Sequence, residues 1–221
     1  MSTPPKIIAI DGPAAAGKGT LAKRLADHFQ LELLDTGLLY RAVAGKVIDI
    51  GVEIADDPKT YSASAGQAAR GLIPADLEVD GLRSDQVAQA ASKVSALPEV
   101  RAALLSFQRS FAEHPPYGGQ GAILDGRDIG TVVCPEADVK LFISASTEIR
   151  AKRRFKELQE RGVEAIYARV LDDMRERDAR DTGRDASPLV AADDAFLLDT
   201  SDLDADQAFA AALDFIETRS T

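Results

Sequence analysis

Lys6-Ile7-Ile8-Ala9-Ile10-Asp11-Gly12-Pro13-Ala14-Ala15-Ala16-Gly17-Lys18-Gly19-Thr20 is the stretch on which the fold turns. Its apolar start ends at Gly12-Pro13, which predicts a buried parallel strand running into a turn. Leu21, Leu25 and Phe29 then recur at i, i+4 and i+8, so a helix is predicted over residues 19–30. Residues 31–34 form a second short strand, closed by Asp35-Thr36-Gly37. Strand, glycine loop, helix and strand make one βαβ unit with a right-handed crossover.

The loop itself carries the chemistry. Gly12, Gly17 and Lys18 fit the P-loop spacing G-x-x-x-x-G-K-[ST] in its strand-to-helix context. A phosphate chain needs several converging backbone N–H donors, and small residues let the backbone approach without Cβ collisions. Gly12, Pro13, Ala14, Ala15, Ala16, Gly17, Lys18, Gly19 and Thr20 are therefore read as the nucleotide phosphate cradle. The helix start adds its positive dipole end, and Lys18 a mobile charge for the β- and γ-phosphates. A tight turn with a solvated lysine is the plainer alternative. The strict pattern has a hydroxyl where Gly19 stands, and here it follows one residue later at Thr20. Mg²⁺ is thus expected to arrive with ATP and be held mainly by phosphates and water, with no protein metal site.

Outward from the loop, residues 122–124 end at Asp125-Gly126, 139–144 at Ala145-Ser146, and 195–199 at Thr200-Ser201. With the first two, these strands predict an α/β P-loop NTPase fold. It has a five-stranded parallel sheet flanked by helices, with ligands along the carboxyl edge. The pattern changes over about 48–110, which reads as an insertion. A small hairpin is expected at 77–82 around Asp80-Gly81, followed by apolar helical spacing at Val87, Ala88, Ala91 and Val94, a break at Pro98 and a helix over 99–111. Residues 148–180 read as Arg-rich helix and 205–219 as a closing amphipathic helix. Residues 1–221 are expected to form one kinase domain, with a lid over about 153–185.

Composition narrows the partners. The formal charge of −10 argues against binding polymeric nucleic acid, which calls for a broad basic surface. Yet residues 150–184 carry 11 of the 26 Lys and Arg. That local excess suits a small anionic ligand, or else a solvated helix laced with ion pairs. Cys134 is the only cysteine, so no intramolecular disulfide forms, and core packing explains it better than nucleophilic chemistry. No signal-like or membrane-spanning apolar run is present in the sequence, so a cytoplasmic protein without membrane partners is expected. No long exposed apolar face stands out, which favours a monomer.

A GTPase would need a base-reading Asn-Lys-x-Asp segment, which the sequence lacks, and the short chain favours a small-molecule kinase. Leu34-Asp35-Thr36-Gly37-Leu38-Leu39-Tyr40-Arg41, Asp125-Gly126-Arg127-Asp128-Ile129-Gly130-Thr131 and Glu176-Arg177-Asp178-Ala179-Arg180-Asp181 together resemble the bacterial cytidylate kinases, nearly along the whole chain and in order. The resemblance implies phosphorylation of CMP and dCMP by ATP in pyrimidine nucleotide metabolism. It makes 48–110 an enlarged monophosphate-binding region, somewhat shortened. It also implies that Thr36, Arg41, Arg127 and Arg184 hold the acceptor phosphate, for which an arginine fork is suited. Ser92 and Arg101 would lie beside Asp128 at the base, and Arg177 and Asp181 at the sugar.

Base choice has its own physical reading. Cytosine presents an amino donor where uracil presents an acceptor, so a buried carboxylate at Asp128 favours cytosine. Pairing of Asp128 with a neighbouring arginine, or of Arg184 with a surface acid, is the bland alternative. The catalytic set is read as Lys18, Arg127 and Arg153, with Arg150, Arg153, Arg154 and the residues up to Arg184 closing over ATP. His28 and His114 are read as surface or packing residues, because a phosphate acceptor needs no general base. A kinase for UMP or AMP, and a switch module that binds ATP without transferring phosphate, are the rival readings.

Overall fold

The computed structural model describes residues 6–184 and 187–219. The last residue of the expected lid, 185, lies outside them. Five strands form one parallel sheet: β1 (Ile7–Asp11), β2 (Glu32–Asp35), β3 (Ala122–Asp125), β4 (Val139–Ser144) and β5 (Phe196–Asp199). Their order is β2-β3-β1-β4-β5. From β1 the chain passes to the β2 edge, and from β4 to the β5 edge, so the order reverses around the strand that feeds the glycine loop. Ligands in open parallel sheets bind where the order reverses, outside the strand carboxyl ends.

Register follows the apolar pattern. Ile8 faces Ile123 and Val139, and Ile10 faces Asp125 and Leu141. Ile8, Ile10, Leu141 and Ile143 join Leu21 and Leu25 of α1 (Lys18–Phe29) and Ala212 and Ile216 of α8 (Ala205–Arg219) in one buried cluster. Each such fully buried aliphatic side chain contributes about 1.5–3 kcal/mol. Phe196 and Phe215 stack beside it at 4.3 Å.

The chain divides into two compact units, residues 1–34 with 112–221, and residues 35–111. The second is helical: α2 (Thr36–Asp49), α3 (Ser62–Arg70), α4 (Asp85–Val94) and most of α5 (Pro98–Glu113). Here α2 packs on α3 and α4. The sequence reading stopped at Asp35-Thr36-Gly37 and did not foresee α2. Leu39, Val43 and Val47 recur at i, i+4 and i+8, and all are fully buried.

The expected hairpin at 77–82 is overturned. Pro74–Leu77 is a 3₁₀ turn whose Asp76 carboxylate accepts from Ile73 N–H at 2.8 Å, and residues 80–83 turn with Gly81 at φ 84°. Leu82 is buried, its methyl 3.3 Å from where a Cβ on Gly45 of α2 would stand. Ser84 then caps α4 by accepting from Val87 N–H. A lone Asp-Gly signals a turn, but a hairpin also needs flanking alternation that strands can pair. Pro98 opens α5 rather than merely breaking the chain, since the first helical position tolerates a missing N–H.

The single helix read over 148–180 is two, α6 (Thr147–Glu160) and α7 (Tyr167–Thr182). Gly162 stands at φ 70°, and Val163 N–H closes back on Leu158 O at 2.9 Å, a glycine-dependent helix end. The two helices bury Ala151, Leu158, Val170 and Met174 together, and Ala14 and Ala15 of the glycine loop pack against that cluster.

Candidate active site

The glycine loop joins β1 to α1 along the carboxyl edge of the sheet. Gly12 has φ 142°, and a Cβ there would stand 1.9 Å from the Ile143 carbonyl oxygen, so only glycine lets β1 turn this close to β4. Gly17 precedes α1 at φ 95°, and no side chain among the described residues caps that helix start. The first-turn N–H groups therefore suit an anion. Gly17, Gly19 and Thr20 are exposed at the loop, while Ala16 and Lys18 are buried.

Lys18 curls back over the loop. Its Nζ donates to the Pro13 carbonyl at 3.0 Å and lies 3.7 Å from Asp125 Oδ1 at the end of β3. Burial, followed by the positive charge of Arg127, pulls the Lys18 ammonium down from 10.5 to about 8, although Asp125 opposes this; Arg177 adds to the depression. Cations are thus concentrated here against their own repulsion. Such an arrangement is stable only with interleaved carboxylates and calls for an anionic ligand.

The carboxylate that organises the arginines is Asp181 on α7, 1% exposed. Arg127 Nε donates to its Oδ2 at 3.1 Å, Arg184 Nη2 donates to its Oδ1, and Arg177 Nε stands 3.9 Å from Oδ2. Burial pushes the Asp181 carboxyl up, but the charges of Arg127, Arg184 and Arg177 outweigh it and leave it below the usual range. Burial likewise opposes the Arg127 charge, yet Asp181 and Asp125 hold its pKa above the ordinary value. Arg177, Asp181 and Arg184 are near neighbours in the sequence, whereas Arg127 lies 54 residues before Asp181 and is brought to the same carboxylate by folding.

Asp128 is buried, at 4% exposure, where the chain enters a single π-turn at Ile129–Val133. The turn hangs from Asp11, the last residue of β1. Asp11 Oδ1 accepts from Ile129 N–H and Oδ2 from Gly130 N–H, both at 2.8 Å. Burial lifts the Asp11 carboxyl from 3.8 to about 7, opposed by the two N–H donors and reinforced by the Asp128 charge.

Arg153 lies elsewhere along the edge. Its guanidinium donates to the Thr200 hydroxyl at 3.0 Å and carbonyl at 2.6 Å, and the Thr200 hydroxyl sits 2.9 Å from the Ala16 carbonyl. Arg153 thus reaches the glycine loop through one intermediary. Arg150, read from sequence as part of the closing cluster, is a scaffold residue. It is 3% exposed, grips both Asp178 oxygens at 3.0 and 2.6 Å, and donates to the Ala145 carbonyl at 2.8 Å. Outer-face bases such as Lys156 and Arg161 pair with Glu160 and Glu157 in exposed bridges. Those pairs contribute at most about 1 kcal/mol each. Ion-pair lacing therefore describes the outer face of α6 and α7, and the inward face carries the organised arginines.

Within the helical unit, Arg41 on α2 donates to the Leu82 carbonyl at 3.1 Å. Arg101 on α5 donates to the Ser95 carbonyl at 3.2 Å and stands over the Tyr40 ring at 5.6 Å. Thr36 opens α2 and Ser92 sits on α4, both 3% exposed.

The profile of the cytidylate kinase family matches residues 8–218. The chain belongs to the cytidylate kinase family. A family member named cytidylate kinase from Paramagnetospirillum magneticum is 65% identical over 213 residues, 96% of this chain and 98% of that one. Another, from Rhodospirillum rubrum, is 56% identical over 214 residues, covering 97% and 98%. In fold, the chain also resembles an uncharacterised protein from Eubacterium ventriosum, with TM-score 0.52, 16% identity, and coverage of 96% and 98%.

In this cytidylate kinase family chain, the sequence reading noted Asp11, Asp125 and Thr200 only as strand ends or motif members and gave them no site role. One shared signal was present, for each ends or directly follows a strand whose carboxyl end borders the glycine loop.

Proposed function

We propose that the chain transfers the γ-phosphoryl group of ATP to CMP, and also to dCMP, releasing ADP with CDP or dCDP. One observation carries this beyond family membership. The Lys18 of a glycine loop shares its electrostatic surroundings with Arg127 and Arg177, two members of the arginine set held by Asp181. A switch module that only binds ATP has no use for that second set.

In this reading the loop amides and Lys18 hold the ATP phosphates and Arg127 and Arg184 hold the acceptor phosphate; Arg41 and Thr36 are assigned to that phosphate by the family resemblance alone. An acceptor phosphate oxygen attacks the γ-phosphorus as the bond to the β-phosphate oxygen breaks, and that electron pair leaves with ADP. The acceptor is mostly dianionic near neutrality, its second pKa being about 6, so no general base is required. Lys18, Arg127 and Arg153 offset charge spreading over the transferring group. Asp128 accepts from the cytosine amino group, Ser92 and Arg101 are read as further contacts of the base, and Arg177 and Asp181 as contacts of the sugar. Closure of α6 and α7 over ATP excludes competing water.

Magnesium fits these residues as a hydrated ion. No three His, Cys, Asp or Glu side chains cluster to hold a metal among the described residues. Asp125 faces the loop, its Oδ2 3.6 Å from where a Cβ on Gly19 would stand, and suits hydrogen bonding from metal-bound water. When bound with ATP, the ion neutralises phosphate charge.

The test offers CMP, dCMP, UMP and AMP separately with ATP and measures ADP release. CMP and dCMP should dominate, and Lys18→Met should keep the fold while lowering turnover about 10²–10³-fold. Preference for UMP or AMP, or ATP binding without transfer to any acceptor, would overturn the assignment.

A further inference from the structure

We propose that Asp11 is a positioning residue for acceptor-base selection: its carboxylate hangs the turn that carries Asp128 from the root of the glycine loop. The inference rests on the reading of Asp128 as the group that meets cytosine. Asp11 is fixed by β1, paired on both sides by β3 and β4, and ends that strand one residue before Gly12. Its two oxygens accept separately from the N–H groups of Ile129 and Gly130, the two residues after Asp128. The three residues Asp11, Ile129 and Gly130 are all buried, so water does not substitute readily for a lost bond there.

Packing sharpens the constraint. A Cβ on Gly130 would stand 3.2 Å from Lys140 Cδ, 3.3 Å from Lys140 Cγ and 3.5 Å from Asp11 Oδ2. The missing side chain lets the Gly130 N–H approach Asp11 while the Lys140 stem passes behind it, and Lys140 is itself anchored to Asp194 at 2.9 Å. The ionised side chain, the dominant form above pH about 7, accepts both N–H bonds, which an amide cannot do. An asparagine would satisfy one of them and turn its own NH₂ toward the other.

This arrangement makes one rigid segment serve two substrates. The loop that holds the donor phosphates begins beside the carboxylate that fixes the height of Asp128, so the base reader is set from the sheet and not from a surface loop. Asp11 acts through Asp128 and touches neither substrate.

The experiment compares parent, Asp11→Asn, Gly130→Ala and Asp128→Ala, reading kcat/KM for CMP and for UMP and the KM for ATP. Asp11→Asn should lower the CMP-to-UMP ratio about tenfold, the scale of one mis-made buried hydrogen bond, with the KM for ATP changed less than about threefold. Gly130→Ala keeps the carboxylate but presses on the same turn, and its ratio should fall in the same direction. It decides the matter if Asp11→Asn does not fold. Equal loss on CMP and UMP, or a loss expressed chiefly in the KM for ATP, would make Asp11 merely structural and overturn the inference. An unchanged ratio in Asp128→Ala would instead remove its premise, the base-reading role itself.

Discussion

At the scale of single residues, Lys18 illustrates how burial and function conflict. Its ammonium, drawn down to about 8, stays charged in the free protein only below that pH. The kcat/KM for ATP should therefore decline as pH rises through about 8, whereas kcat should hold to higher pH because bound phosphate favours the charged form. A pH series at saturating CMP checks this, and a flat kcat/KM up to pH 10 would contradict it. The stability sign runs the other way. A lysine depressed below its unfolded 10.5 adds stability above that value and loses it as pH falls through about 8. Charged Lys18 thus costs the fold stability at neutral pH, a cost that makes sense if phosphate offsets it.

At the scale of elements, glycine placement was the clearest sequence signal and the most consequential in the fold. Gly12 lies where β1 passes β4, with a prospective Cβ 1.9 Å from a backbone oxygen; Gly17 has φ 95° but nothing within 4 Å. Gly12→Ala should therefore cost about 3 kcal/mol or more, and Gly17→Ala about 1–2 kcal/mol from backbone strain alone. Thermal or urea melts of the two variants read this order directly, and a reversal would mean that β1 and β4 yield more easily than their packing implies. The five strands were legible because fully buried parallel strands read as short apolar runs ending in polar or glycine residues. Helix ends were less so. The break at Gly162 hid within a run of charges, and α2 hid behind Thr36-Gly37, two residues that more often close a segment than begin a helix.

Across the whole molecule, an acidic chain of net charge −10 concentrates organised cations around two carboxylates, Asp125 and Asp181. Arg127, Asp128, Arg177, Asp181 and Arg184 could be picked out one by one as candidate site residues. Their mutual arrangement could not, because it depends on α7 and the β3 edge meeting across more than fifty residues of sequence. Asp11 was invisible as more than a strand end, since nothing local marks a carboxylate whose partners are backbone N–H groups 118 and 119 residues away. Nor does any helix among the described residues have the length and apolarity to cross a membrane. Phosphate chemistry, rather than the sheet alone, sets this chain apart from other open α/β folds.

The central claim is a single in-line transfer from ATP to CMP with no phosphorylated protein between them. It is tested most directly by running the reaction with ATP made chiral at the γ-phosphorus by oxygen isotopes and determining the configuration in the CDP formed. Inversion is expected from one displacement, while retention would require two and would contradict the direct meeting of donor and acceptor.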